Sequence, residues 1–310
     1  MSVWYSRPED TSFAGLRAGW RLTIFLCLAV GVPAVLSAIA LALAHGHARA
    51  GTTPVGGLNP LLAAVGEGAP FLWVLFVSWI MARLEHRSLA DYGLPWRRAF
   101  QGNFWAGALW GAVSLTALLL LIMVSGDFSF GHLMLHGAAI ETYGLEWALA
   151  FVLVGFFEEF TFRGYALATL TQGTTFWTAA IILSVVFGAV HLGNTGESWI
   201  GALSAGLIGL FFCFTLRRTG SLWFAIGMHA AWDYCESFVY GVPDSGQVSQ
   251  GRLLRPDFHG SHWITGGSVG PEGSLWVFVI IVLLFALFAD LYPAREAATP
   301  SPESTASSAA

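Results

Sequence analysis

Residues 156–165, FFEEFTFRGY, set two adjacent carboxylates and an arginine inside an otherwise apolar run. Ionised groups at bilayer depth are costly and face a protein interior or a wet cavity, so Glu158, Glu159 and Arg163 read as functional residues. Glu159 and Arg163 are four apart, share a helical face and can pair, whereas Glu158 points about 100° away and is left for another partner. The bland alternative is a buried structural ion pair with a spare carboxylate. Two more pairs follow on later apolar segments: Phe187 with His191 in FGAVHLGN, and His229 with Asp233 in HAAWD. With a turn centred in 172–175, Glu158 and His191 each lie about sixteen residues from it, roughly 25 Å along a helix, so a hairpin sets them level. His229 and Asp233 share a helical face roughly 15 to 20 Å from the Arg217/Arg218 loop and need a polar environment to face.

Glu, His, His and Asp without an activated serine or cysteine suit two chemistries. A buried carboxylate can take a proton from water and return it to a leaving amine while the histidines orient that water or donate to an oxyanion. Alternatively Glu158, His191, His229 and Asp233 can hold a divalent metal such as zinc with an open water position. Both lead to hydrolysis of a peptide bond in the membrane. The chain has no HExxH, and Ser184 and Ser204 do not lie in GxSxG.

The elements that must position these residues follow from composition. Across 310 residues the chain is 55% hydrophobic and only 11% charged, with a mean hydropathy of +0.65, which excludes an ordinary water-soluble surface. The expected fold is an all-α polytopic membrane bundle of about eight transmembrane helices. The apolar segments are 21–43, 61–82, 104–124, 145–171, 176–192, 198–216, 221–240 and 274–292, and a tryptophan marks one end of nearly every one. The first reads as an anchor and not a cleaved signal, because no small-residue cleavage site follows it. The expected domains are a cytoplasmic leader over 1–20, a bundle over 21–292 whose motif-bearing core spans 145–240, and a disordered Ser/Ala/Pro/Thr tail over 293–310.

Arginine supplies the whole basic complement, which suggests a GC-rich bacterial genome and hence a multi-pass protein of the bacterial cytoplasmic membrane. Placing the N-terminus inside leaves Arg7, Arg17, Arg21, Arg83, Arg87, Arg97, Arg98, Arg217, Arg218 and Arg295 cytoplasmic, against Arg49, Arg252 and Arg255 outside. The bias predicts N-in and C-in. Cys27, Cys213 and Cys235 stand singly in apolar segments, so neither disulfides nor thiolate metal sites are expected. No internal repeat, phosphate-binding glycine loop or basic patch with interleaved aromatics is present, so nucleic acid is not an expected partner. Membrane lipid and a peptide or lipidated protein substrate are.

EExxxR (Glu158, Glu159, Arg163), FxxxH (Phe187, His191) and HxxxD (His229, Asp233), in that order on successive apolar segments, resemble the CPBP family of intramembrane proteases, also called the Abi or type II CAAX prenyl endopeptidase family. The resemblance implies an intramembrane endopeptidase in which Glu158 is the general base on water and His191 helps to hold that water. It assigns oxyanion stabilisation to His229 and the residue four later, with Glu159 and Arg163 organising the site. Many members carry asparagine at that last position. Asp233 cannot donate as an amide does unless protonated, so it is expected to orient His229 or favour a metal. The family is described both as metalloprotease and as metal-free glutamate protease. Eukaryotic relatives trim prenylated CAAX tripeptides, whereas bacterial relatives are linked to peptide processing, bacteriocin self-immunity or membrane-protein regulation. Two alternatives come from other classes: a non-catalytic immunity or scaffold protein with a structural polar cluster, and a proton-coupled transporter with Glu158 as relay. Paired broken helices and inverted halves, which would favour the transporter, are not apparent. Gly164 and Gly188 are expected to let helices approach closely.

Overall fold

The computed structural model describes residues 16–44, 57–194 and 196–294. Residues 1–15 of the leader, Arg7, Arg49, Arg295 and the tail from 295 onward lie outside the described residues.

The chain is a bundle of apolar helices whose outer faces carry unpartnered aliphatic side chains, such as Leu61, Leu62, Val65 and Leu72 on one helix and Leu109, Val113 and Val124 on the next. A helix that is hydrophobic all round belongs in lipid. It is a multi-pass membrane protein. The first apolar segment folds as α1 (Ala18–Leu26) and α2 (Val32–Ala44), joined by a π turn over Cys27–Gly31. Pro33 lacks the N–H an α-helix would use one turn back, and the π turn falls where that bond is missing. Then come α3 (Pro60–Leu84) and α4 (Gly102–Val124). Asn59 starts α3: its Oδ1 accepts from the backbone N–H groups of Leu61 and Leu62, and Pro60 takes the first helical position, where no N–H is needed.

The motif-bearing part departs from the expected single helix over 145–171. The chain forms α5 (Ala138–Arg163) and α6 (Tyr165–Gly173), broken at Gly164. A Cβ at Gly164 would run into the carbonyl oxygen of Phe160, so glycine here permits a break in its own helix and not the helix approach expected of it. The expectation holds for Gly188. On α7 (Phe176–His191) it meets the backbone of α8 (Trp199–Thr219), where a Cβ would stand 3.1 Å from Gly206 N and collide with Ala202 O. Thr175 and Ser198 cap these two helices with side-chain oxygens. Gly220, in the left-handed region at φ 76°, stops α8. After it, α9 (Trp223–Asp233) continues as a π turn over Tyr234–Val239, and α11 (Trp276–Leu291) closes the bundle behind the short α10 (His262–Thr265). The eight expected segments are thus all helical. Five are long and apolar enough to cross a membrane, and α7 and α11 are shorter apolar helices.

In the bundle α4 packs along α9, α3 along α5, and α7 along α8. One addition has no counterpart in the hydropathy pattern. β1 (Phe128–Leu133) pairs antiparallel with β2 (Leu254–Phe258), Phe128 opposite Phe258, with an irregularity between Ser129 and His132. The 241–273 stretch, Gly-rich and polar in sequence, therefore contains a strand and α10. The ring of Phe130 lies tilted against that of Tyr240 at 5.5 Å, and Tyr240 bonds Thr116 of α4 through its hydroxyl at 2.7 Å. The ribbon thereby fixes the end of the segment that carries His229 and Asp233.

Candidate active site

The break at Gly164 leaves the last turns of α5 pointing Glu158 and Glu159 inward with different fates. Glu159 and Arg163 are fully buried and joined at 3.2 Å, as their spacing predicts. Glu158 keeps about a quarter of its side chain accessible. The Arg163 guanidinium lies over the ring of Phe187 at 4.1 Å, with Phe162 and Phe212 also within 6 Å of it. Gly209 of α8 makes the room, since a Cβ there would strike Nη2 of Arg163. An aromatic enclosure and an ion pair hold a charge that lipid would not tolerate.

Glu159 has a second partner. Its Oε1 also accepts from Nδ1 of His229 at 2.9 Å, and the imidazole stacks against Phe212. With Nδ1 so engaged, Nε2 is the reactive nitrogen of His229. It lies 3.7 Å from Oε2 of Glu158 and 3.5 Å from Oδ2 of Asp233. That Glu158 oxygen is buried and has no hydrogen-bond partner. His191 is tied by Nδ1 to the carbonyl of Phe187 at 2.7 Å; a carbonyl only accepts, so Nδ1 donates and Nε2 is left free.

Glu158, His191, His229 and Asp233 line one cavity of about 240 Å³, so segments far apart in sequence meet there. Glu159 and Arg163 do not line it and stand behind it. The cavity also has acids that the sequence reading did not single out: Glu67 of α3, Asp244 after α9, and Glu272 before α11. Glu67 was legible by the rule that picked out Glu158, because it too interrupts an apolar run. Asp244 and Glu272 sit in polar loops, where a carboxylate carries no such signal. Burial, reinforced by neighbouring Glu272, pushes the Asp244 carboxyl up to about 7 against a hydrogen bond from Ser237 that works the other way. Burial likewise raises Glu197, which precedes α8.

Zinc ligands at about 2.0–2.2 Å from one ion must stand within roughly 3.5 Å of one another. Among the described residues, the group of three or more candidate ligands whose atoms lie mutually within 4.8 Å is Glu236, Asp244 and Glu272, which includes none of the four expected ligands. Glu158, His191, His229 and Asp233 do not form such a group as their side chains stand.

Residues 140–235, which run from α5 to the turn after α9 and include all three motifs, match the family model described as type II CAAX prenyl endopeptidase Rce1-like. This supports the CPBP resemblance, and the family is one of proteases. None of the curated proteins and none of the solved structures matches the chain.

Proposed function

From the Rce1-like core at residues 140–235 we propose that the chain is an intramembrane endopeptidase in which Glu158 activates water against a peptide bond of a membrane-associated or lipidated substrate. The observation that carries this reading is the unpartnered Oε2 of Glu158, facing Nε2 of His229 across 3.7 Å at the wall of a cavity that His191 also lines.

Glu158 takes a proton from water that the free Nε2 of His191 helps to orient, and the hydroxide adds to the scissile carbonyl. His229, charged, donates from Nε2 to the oxyanion, with Glu159 holding its other nitrogen and Asp233 stabilising its charge. Collapse of the tetrahedral intermediate breaks the C–N bond, and the proton on Glu158 passes to the leaving amine. Asp233, 3.5 Å from Nε2, thus orients His229 and replaces the amide donor that many relatives carry at this position. Arg163 compensates Glu159, so the latter holds His229 without adding free charge. The bacterial cytoplasmic membrane remains the proposed location, on the arginine-only basic complement.

The test is cleavage of a mixed library of hydrophobic and prenylated peptides by purified protein in detergent or liposomes, read by mass spectrometry. Wild type should cut, Glu158→Gln should not, and both should be extracted in equal yield. Equal cutting by the two proteins would remove Glu158 from the mechanism.

A further inference from the structure

The acids on the loop side of the cavity are not used by this mechanism. Glu236, in the π turn after α9, is completely buried, yet neither of its carboxylate oxygens has a hydrogen-bond partner. The indole N–H of Trp232, one turn earlier on the same segment, likewise has no hydrogen-bond partner. A buried carboxylate left in this way is strongly unfavourable unless something neutralises it. Asp244 and Glu272 each place a carboxylate oxygen with one from Glu236 so that all three lie within 4.8 Å of one another. Two of the three are held from behind: Ser237 donates to Oδ2 of Asp244 and Ser245 to Oε2 of Glu272, each at 3.0 Å. The turn over Pro271–Gly273 is held too, since Ser204 of α8 donates to the carbonyl of Glu272 at 2.9 Å. Carboxylates held by hydrogen bonds from neighbouring groups are how metal sites are made firm.

We propose that Glu236, Asp244 and Glu272 bind a hard divalent cation, calcium in the first instance, at a site separate from the Glu158–His229 centre. The donors are all oxygen, with no histidine or thiolate among them, which selects against zinc. Calcium takes oxygens at about 2.3–2.6 Å in flexible geometry, whereas magnesium demands about 2.0–2.1 Å and a near-ideal octahedron. Three oxygens all within 4.8 Å of one another fall inside the span of a calcium shell. Its three ligands come from the end of the α9 segment, the loop that follows and the turn before α11, so the ion would tie together one wall of the cavity.

The experiment is thermal melting of the full chain in detergent, stripped with a chelator and then titrated with calcium, magnesium or zinc. Calcium is expected to raise the melting temperature. Glu236→Gln and Glu272→Gln should each abolish that shift, and Glu158→Gln and His229→Ala should retain it. Should Glu236→Gln fail to fold, the half-buried Glu272 still gives the answer. As a second readout, terbium emission excited through Trp232 should appear in wild type, be displaced by calcium and vanish in Glu272→Gln. Three results would overturn the site: a calcium shift that survives both glutamine variants; a shift given by zinc alone and lost in His229→Ala; or no shift with any ion while the glutamine variants melt at or above wild type, which would mean that the three carboxyls share protons instead. None of these readouts depends on peptide cleavage.

Discussion

Among the described residues, an ion-paired cluster around Glu85, none of whose members lines the cavity, stands beside the ion-paired cluster around His229, which does. In the first, Glu85 after α3 receives Arg21 of α1 at 3.0 Å and the hydroxyl of Tyr165 on Oε1, and the hydroxyl of Tyr92 on Oε2 at 2.6 Å. Arg21 also donates to Gln172 of α6 at 2.6 Å. One carboxylate is met on both oxygens by a guanidinium and two phenols. In the second, Glu158, Glu159 and Asp233 surround His229, with Arg163 engaged by Glu159 alone among them. Acceptors exceed donors there, and the surplus carboxylate opens on the cavity. The difference separates structure from chemistry: ionisable groups in a membrane helix mark a site when their pairing is left incomplete beside space for a substrate.

The largest effect that would break this comparison is a loss of function without loss of fold. Glu158→Gln should lower turnover by about 10²-fold or more while leaving the melting temperature near that of wild type. Glu85→Gln should do the opposite. It removes the negative charge that Arg21 and two phenol hydroxyls share and should cost about 3 kcal/mol of stability, read as lower yield and an earlier melt, with the specific activity of the surviving folded protein intact. If Glu85→Gln instead abolished cleavage at full stability, the two clusters would not be different in kind.

A smaller effect sharpens the first cluster. Tyr92→Phe removes one hydrogen bond to a charged acceptor and should destabilise by about 1.5–3 kcal/mol in the same melt. The smallest belongs to the second region, where negative charge accumulates. The folded Glu197 carboxyl titrates above its ordinary 4.5 because it is partly buried, with Glu272 nearby. The fold therefore holds that proton more tightly than the unfolded chain does. Its contribution is complete below the unfolded value and is lost as pH rises through the folded one. Melting temperature followed upward from pH 4 should fall less steeply in Glu197→Gln than in wild type.

The second cluster was legible in the sequence and the first was not, for one physical reason. Glu158, His191, His229 and Asp233 interrupt apolar runs, so cost alone draws attention to them. Arg21 and Glu85 stand at the ends of such runs, where charges normally reach water. Arg21 was accordingly expected to be one more cytoplasmic charge, yet it is 1% exposed. The Glu159–Arg163 pair followed from helical spacing, because its two members lie on one helix. That His229 would turn its Nδ1 to Glu159 did not, since the residues are seventy positions apart and only packing decides it. The β1–β2 ribbon was hidden for the same reason, as each strand is short and its partner distant. The break at Gly164 was read as a packing glycine because composition cannot say whether missing side-chain volume serves a neighbour or the chain itself.

That ribbon has a consequence for how the molecule is made. β1 leaves the ribosome before α5 and must wait for β2, more than a hundred residues later, so its closure is a long-range event of the slow kind. All three motifs have been synthesised by residue 233, whereas β2, the partner of the strand whose Phe130 lies beside Tyr240, is complete only at Phe258. During biosynthesis the chain thus passes through a stage with all three motifs present and the strand that pairs with β1 still to come. Under the proposed function, hydrolysis waits for β2, whose first residue, Leu254, comes well after Asp233 of the last motif.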